Sequence, residues 1–517
     1  MQNKFIFSLI LGLMSILNMK AQVASDAFRL ANTNVGGTAR FEAVSGAMGA
    51  LGADYAAICV NPGGIGLYRK SDFAFSFLVN SNQNSSTLKN LNQSNQSYDK
   101  IRNSFSLSNI GFVTGVNKSS SNWLRTNFVI GFNQSAQFAK KTNVKGQSQG
   151  SILDRFLEQS LDPNGEGLAG ITADNLDDFE AGLAYEVGAI FDPISSDNKT
   201  TYIHDLLPLK TYGTEKSHIL SETGTAYNLN IGFGGNYKEK LFVGGNLNFP
   251  FFSYKSSRTH FETPISTQAT SPFVSLEYKD NNNQSGGGIN VAFGAIVKPN
   301  KNLRFGLAYQ SPSYISITES YNSELTYVFK DNAGVSSSNT AKSPDGLFEY
   351  ALITPQFVTA SFGYVAKFGF LTADVQYKDF NQTKYLLTIE SDAPADAEYQ
   401  KIVNADIDKQ YKSVWKANLG AELALDKSRI RLGTSISQSP FANEDKWLIA
   451  PSAGLGYRGN KTYFDVSFSK RTNQENYLPY ITGSSDFNDD GNTDAVQPIV
   501  ETKLSQYQVV MTFGFKF

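Results

Sequence analysis

Near the C-terminus, Asp486-Phe487-Asn488-Asp489-Asp490-Gly491-Asn492-Thr493-Asp494 places an oxygen-bearing side chain at every second position around a glycine. The spacing D-x-N-x-D-G-x-x-D matches the first nine positions of an EF-hand-type calcium loop. Asp486, Asn488 and Asp490 would bring oxygens to one point, and Gly491 would make the sharp turn. Asn492 would offer its carbonyl, and Asp494 would bind directly or through water. The twelfth position is Gln497 rather than a bidentate Glu, so the run also reads as a solvated acidic turn. Other chemistry is sparse. The three histidines, His204, His218 and His260, fall in stretches that read as loops, and neither H-E-x-x-H nor G-x-x-x-x-G-K occurs. An enzyme is not expected. Cys59 is the only cysteine, which excludes an intrachain disulfide and reads as a small buried residue.

The elements that would position such groups are strands. The last eleven residues put Tyr507, Val509, Met511, Phe513, Phe515 and Phe517 on one parity and Gln508, Val510, Thr512, Gly514 and Lys516 on the other. Successive strand residues point to opposite faces, so one face is greasy and the other polar or small. An outer-membrane barrel uses that pattern inside out, with lipid on the greasy side. Leu371, Ala373, Val375 and Tyr377 oppose Thr372, Asp374, Gln376 and Lys378 in the same way. So do Thr462, Phe464, Val466 and Phe468 against Tyr463, Asp465, Ser467 and Ser469.

The N-terminus and composition agree. Lys4 precedes an apolar run from Phe5 to Leu17, and Ala21 offers a small residue for cleavage before Gln22. Residues 1–21 therefore read as a secretory signal peptide. After residue 22 no apolar run approaches the roughly 18 residues of a spanning helix. Charged residues make up 18% and aromatics 13%, with a net charge of -2. That balance gives no reason to expect a nucleic-acid partner.

Alternating segments recur at 72–80, 102–116, 123–139, 224–237, 240–254, 287–298, 302–318, 355–367, 369–388, 412–425, 428–438, 446–458, 460–471 and 502–517. This predicts an all-β, transmembrane antiparallel barrel of about 14 strands over 71–517. Links after even-numbered strands are short and those after odd-numbered strands mostly long, as for periplasmic turns and extracellular loops. The longest loop, 140–223, carries two amphipathic stretches, Ser151–Gln159 and Leu176–Val187. They cap the barrel mouth, line an entry site for an apolar ligand, or do both.

Residues 22–70 show no strand period and are rich in Gly and Ala. Ser25–Leu30 could start a short helix. Small residues pack tightly in a confined space, and Asn61, Pro62 and Gly63 mark a turn. The segment reads as a plug in the barrel lumen. Gly36-Gly37-Thr38-Ala39-Arg40, Gly46 to Asp54 and Asn61-Pro62 before the first strand resemble the FadL-type transporters of long-chain fatty acids and other hydrophobic compounds. Those motifs cover about 50 residues; where the family has Asn-Pro-Ala, this chain has Asn-Pro-Gly. The terminal Phe517 resembles the assembly signal of outer-membrane barrels. The resemblance implies a monomer in the Gram-negative outer membrane, in contact with its lipid. It implies passive passage of a hydrophobic small molecule such as a long-chain fatty acid, released by a shift of the plug, in one branch sideways through the wall. It also leaves open a barrel that serves as a protein-binding scaffold of a type IX secretion system. Substrate-contacting residues are not readable from it.

Overall fold

In the computed structural model the chain is described at 27–33, 35–89, 95–117, 122–162, 169–194, 200–209, 211–265, 271–387, 394–483 and 496–517. Fourteen wall strands, numbered here in chain order, form one closed antiparallel barrel. They are β1 (Asp72–Lys89), β2 (Tyr98–Val113), β3 (Trp123–Gln137, resuming at Lys140–Gln149), β4 (Gly213–Tyr237), β5 (Leu241–Pro264) and β6 (Phe273–Val297). Then come β7 (Leu303–Gln310 and Tyr314–Lys330), β8 (Ser336–Lys342, Gly346–Ile353 and Phe357–Ala366) and β9 (Gly369–Asp379 and Lys384–Leu387). The ring is completed by β10 (Ser413–Leu425), β11 (Ser428–Gln438), β12 (Trp447–Arg458), β13 (Thr462–Tyr477) and β14 (Ile499–Lys516). Each pairs with its neighbours in sequence, and β14 closes onto β1 from Asp72↔Lys516 to Lys89↔Ile499. All fourteen segments expected from the sequence fall on wall strands.

The outer face carries the apolar parity. Phe513, Phe515 and Phe517 are exposed, as are Leu371, Val375 and Tyr377, while Asp374 and Asp465 are buried inside. On β5 the outward residues are apolar up to Phe251, and on β6 from Val297 to Ile289; beyond them Lys255 and Asn283 face out. Such a belt is about ten residues tall, the length a tilted strand needs to cross hydrocarbon. The barrel is therefore transmembrane. No helix among the described residues is long and apolar enough to cross a membrane.

Above the belt the structure departs from expectation. Most of the long links are not loops: β4, β5 and β6 run on for 24 or 25 residues each. The extensions, such as Lys279–Gly288, are polar on both faces. Outside lipid neither face needs to be greasy, so alternation vanishes while the backbone ladder persists. The stretch 389–411 was expected as polar loop, yet 394–410 is a helix. Both amphipathic stretches of 140–223 contain helices, Ile152–Ser160 and the shorter Ala181–Glu186. Their apolar sides bury Ile152, Leu153, Phe156 and Leu157 with Leu276, Leu325 and Tyr327 of the extended wall.

The N-terminal segment from 35 to 68 lies inside the ring and bonds to strands around its circumference. Ser108 of β2 donates to the Gly37 carbonyl (2.7 Å), Asn127 of β3 to Ile65 (2.7 Å) and Asn246 of β5 to Ile58 (2.9 Å). Asp374 of β9 accepts from the Gly49 amide (2.9 Å), and Thr512 of β14 from the Ala39 amide (2.7 Å). Wall glycines let the two backbones approach closely. A Cβ on Gly244 would sit 2.2 Å from the Pro62 carbonyl oxygen, and one on Gly433 2.4 Å from the Val44 carbonyl carbon.

Beside this segment lies a buried ion network. Arg431, fully buried, donates to Asp465 (2.7 Å) and Glu422 (2.6 Å). Arg458 also reaches Asp465 (2.8 Å), and Arg40 of the inner segment approaches Glu422 (3.9 Å). Removing one member of such a network strands the other charges without water. Arg431→Ala is expected to destabilise the barrel by about 3–5 kcal/mol, measured as a shift of the urea midpoint in detergent. An unchanged midpoint would remove this network from the account of stability.

Candidate functional site

Among the described residues the longest interruption of the wall ladder lies between β2 and β3; a shorter one leaves Trp447–Pro451 of β12 without a ladder to β13. β2 and β3 pair only from Asn109 to Val113, opposite Asn133 to Val129, with a further short bridge at Val116–Asn117. From Tyr98 to Ser108, β2 pairs with β1 and has no ladder to β3. The cause is in β3, which breaks at Phe138–Ala139 and resumes at Lys140 still paired to β4. The resumed part has turned inward. Inward side chains of β1 now bond its free edge: Asn82 donates to the Ala139 carbonyl and Asn84 to that of Lys141 (3.0 Å). Lys140 pairs with Glu475 and Glu222, which fixes the turn. Across the gap run two side-chain bonds, Ser106 to Gln134 (3.0 Å) and Arg102 to Ser221 (3.1 Å).

Behind the gap lies an apolar chamber that crosses the lumen and is filled by the chain's own side chains. Ala226, Phe252, Tyr254, Ile317, Leu352 and Tyr385 line it from β4, β5, β7, β8 and β9, and helix 394–410 adds Val403 and Ile407. Ala136 and Phe138, at the break in β3, pack on the same cluster, and Phe138 meets the Tyr254 ring edge-on at 5.5 Å. The packed cluster thus reaches the edge of the gap. Its centre holds the chain's own helical turn at 27–31. Phe28 stacks on Tyr411 (4.7 Å, 8°) and touches Phe380 and Phe441 at 5.4 Å each. Arg29 lies 3.7 Å over the Tyr254 ring and bonds Gln284 (3.3 Å). Lys378 donates to the Ala31 carbonyl. Below the turn, Gly36 bonds the Gln134 carbonyl (3.0 Å) at the lower edge of the gap.

The sequence-predicted residues fall in different places. Asn61, Pro62 and Gly63 form the turn of the inner segment. Asn61 accepts from Gly63 (3.0 Å) and donates to Gly49 (2.7 Å) and to the wall at Ala295 (3.3 Å), so it joins two parts of the plug to β6. Cys59 is buried, with Asn133 and Asn230 at 3.5 Å. The calcium-like run Asp486, Asn488, Asp490, Asn492 and Asp494 lies outside the described residues, as do residues 1–26 with the expected signal peptide. The chamber had no signal of its own in the sequence. Its members are single inward apolar residues in otherwise polar strand extensions, and only the unexpected apolar parity of Phe252, Ile315, Ile317 and Leu352 could have marked it.

The histidines are not all loop residues, as had been expected. His218 and His260 sit opposite each other on β4 and β5, beyond the lipid belt, because the strands continue there. Gly146 to Gly150 reads G-x-S-x-G, but Ser148 lies within a strand and not on the exposed turn that a nucleophile needs. Among the described bonds, its hydroxyl meets only the Gln149 carbonyl (3.5 Å).

The chain matches no family model and no curated protein. Solved structures do resemble it. A Pseudomonas aeruginosa FadL homologue aligns over 94% of this chain and 99% of its own, with 11% identity and a TM-score of 0.51. The P. putida toluene transporter TodX aligns over the same shares with 11% identity and a TM-score of 0.46. The Ralstonia pickettii toluene transporter TbuX does so with 14% identity and a TM-score of 0.47. The first of these gives the chain the fold of a FadL-type barrel.

One polar node holds the capping helices over this site. Glu262, at the far end of β5 and well beyond the lipid belt, is fully buried. It accepts from the Ser151 hydroxyl (2.6 Å), the Ile152 amide (3.1 Å), Thr214 (3.0 Å) and His260 (2.7 Å). It thereby caps the N-terminus of helix 152–160, where a negative charge is favourable. Burial pushes this carboxyl up, but Lys216 beside it and the bonds from His260 and Ser151 hold it down at about 2. A carboxyl depressed on folding adds stability above its unfolded value of about 4.3, and that stability is lost as pH falls through the folded value. The difference corresponds to about 3 kcal/mol. The docking of 150–209 is therefore expected to be flat from pH 7 to about 5 and to weaken below about 4. Glu262→Gln should show the same loosening at neutral pH, as faster amide exchange over 152–160. Unchanged exchange would mean that the apolar contacts alone hold the cap.

Proposed function

We propose that this protein is a member of the FadL-type family in the Gram-negative outer membrane, a channel for passive uptake of hydrophobic compounds. The short turns face the periplasm and the strand extensions and capping helices face outward. The observation that carries this reading is an apolar cluster inside the lumen that reaches the gap in the wall at the break in β3. A hydrophobic molecule crosses a polar surface layer poorly, and apolar surface stabilises it by about 25 cal/mol per Å² removed from water. The extended wall and its cap lead to the chamber, and the gap leads from the chamber into the bilayer. No energy source is required. Long-chain fatty acids fit such a route, as do aromatic hydrocarbons.

The gate, on this reading, is the helical turn at 27–31, not the whole plug. The turn fills the chamber much as a ligand would, through ring stacking and burial. The segment from 35 to 68 is bonded to strands on every side.

Two variants test the route. In a Cys59→Ala background, cysteines at Ser106 and Gln134 joined by a short thiol cross-linker should close the gap. Uptake of a hydrophobic tracer should fall by about tenfold or more, equivalent to 1.4 kcal/mol or more, and recover on cleaving the linker. Ala226→Trp should fill the chamber and reduce uptake similarly while leaving heat-resistant folding intact. Full uptake in both would overturn the lateral route. The rival reading, a scaffold of a type IX secretion system, predicts a tightly bound protein partner and no lipophile in native mass spectrometry of the purified barrel. Recovery of a lipophile that Ala226→Trp displaces decides against it.

A further inference from the structure

The charges of this barrel are sorted from end to end, although the chain as a whole carries only -2. At the short-turn end, Lys238 and Lys240 flank Glu239 in the β4–β5 turn, and Lys298 and Lys301 occupy the β6–β7 turn. Lys367, Lys427 and Lys461 sit singly in the next three turns. All are exposed except the half-buried Lys298. Among the described residues none of these lysines forms an ion pair. Glu239 is already committed to Arg125 (2.6 Å) and Arg69 (3.2 Å), and the only other acid in these turns is Asp426. The opposite end differs: Asp174, Asp177, Asp178 and Glu186 are exposed there, Arg155 is the one Lys or Arg described between 150 and 209, and exposed lysines of the strand extensions such as Lys145 and Lys342 are paired with Glu215 and Glu324.

The lysines also have a fixed height. Each borders the lower edge of the lipid belt. Lys367 precedes Phe368, which is 67% exposed, and Lys298 follows the exposed Val297. Lys427 comes two residues after the exposed Leu425. The Lys461 carbonyl bonds the Lys516 amide (2.7 Å), next to the exposed Phe517. Lys238 lies 5.4 Å over the Tyr237 ring, which packs on Trp123, an aromatic pair of the kind that marks a headgroup interface. Finally, the lysines are spread around the rim from β4 to β13. A docked protein would need a local patch, whereas a ring at headgroup height fits the surrounding lipids.

We propose that the turn lysines bind the headgroups of anionic phospholipids in the leaflet at the short-turn end. This rests on the orientation proposed above but not on transport itself. Basic side chains at an anionic surface act additively and strengthen attraction by roughly fivefold each.

The test uses the full-length protein in vesicles of equal phosphatidylglycerol and phosphatidylcholine. Lipids retained after gentle detergent release are counted by native mass spectrometry. Wild type is expected to retain phosphatidylglycerol by roughly fivefold over phosphatidylcholine. Changing the seven lysines to Gln should bring the ratio to parity with heat-resistant folding intact, and changing them to Arg should restore it. Parity in the wild type, or an unchanged ratio in the Gln variant, overturns the proposal. So does lysine-dependent capture of an acidic soluble protein without lipid preference. Tracer uptake on the same samples separates the two readings, since lipid preference without uptake would fault the channel and uptake without preference would fault the lipid ring.

Discussion

A wall immersed in hydrocarbon must bond all of its backbone groups within itself, because no water is there to replace a missing partner. In this chain that constraint is met by closure of β14 onto β1 over the full length from Asp72 to Lys89. It also explains why the break between β2 and β3 is so heavily compensated. Where β3 leaves the wall, the side chains of Asn82 and Asn84 take up the carbonyls that a strand would have bonded. Lys140 turns into the lumen with two carboxylates to receive it. A random failure of pairing would not arrive with these partners in place. The break reads as a built opening, and Ser106 and Arg102 span it with side chains that can swing aside, which a backbone ladder cannot do.

The same constraint governs the interior. A polar lumen face that holds no water channel must be filled by something that hydrogen-bonds, and the inner segment does this with backbone as much as with side chains. Wall asparagines donate to its carbonyls at Ile58, Ile65 and Tyr68. Wall glycines remove the side chains that would hold it off. Arg431, wholly buried between Asp465 and Glu422, would be expensive alone and is acceptable only as part of a network that reaches Arg40 on the plug. Plug and wall therefore form one packed body at this level.

How much of this was visible in the sequence follows from where lipid acts. Inside the belt, one face must be apolar, so strands such as Leu371–Lys378 announced themselves, together with the face that meets lipid. Above the belt that demand ends. The polar continuation of β6 through Lys279–Gly288 has no period to read, and its strands were taken for loops. Helix 394–410 was missed for a similar reason, since its apolar residues Val403 and Ile407 are few among charged neighbours. The plug was legible because Gly-rich motifs at 36–54 and Asn61-Pro62 have no place in a spanning strand. The chamber was not, because it is assembled from seven strands, a loop helix and the N-terminus, none of which carries more than four of its residues.

This contrast decides which part of the N-terminal segment can move. Displacing 35–68 would break bonds to β2, β3, β5, β6, β9 and β14 together, each contributing about 1 kcal/mol net and more where a partner is left buried and unpaired. The turn at 27–31 is held differently. Its stability in place comes mainly from burying Phe28 and Leu30 and from the Phe28–Tyr411 stack, at about 1.5–3 kcal/mol per buried side chain and about 0.5–1.5 kcal/mol for the ring pair. Those terms are non-directional, and an apolar ligand of similar surface recovers them in full. On the channel reading proposed above, a ligand would offset these apolar terms and leave only the bonds of Arg29 to Gln284 and of Lys378 to Ala31 to be broken, as a passive gate requires. The connection to the wall opening is short in sequence: Gly36, five residues after the turn, bonds the Gln134 carbonyl at the lower edge of the gap. On the proposed reading, a ligand that displaces the turn would pull on Gly36 at the edge of the gap.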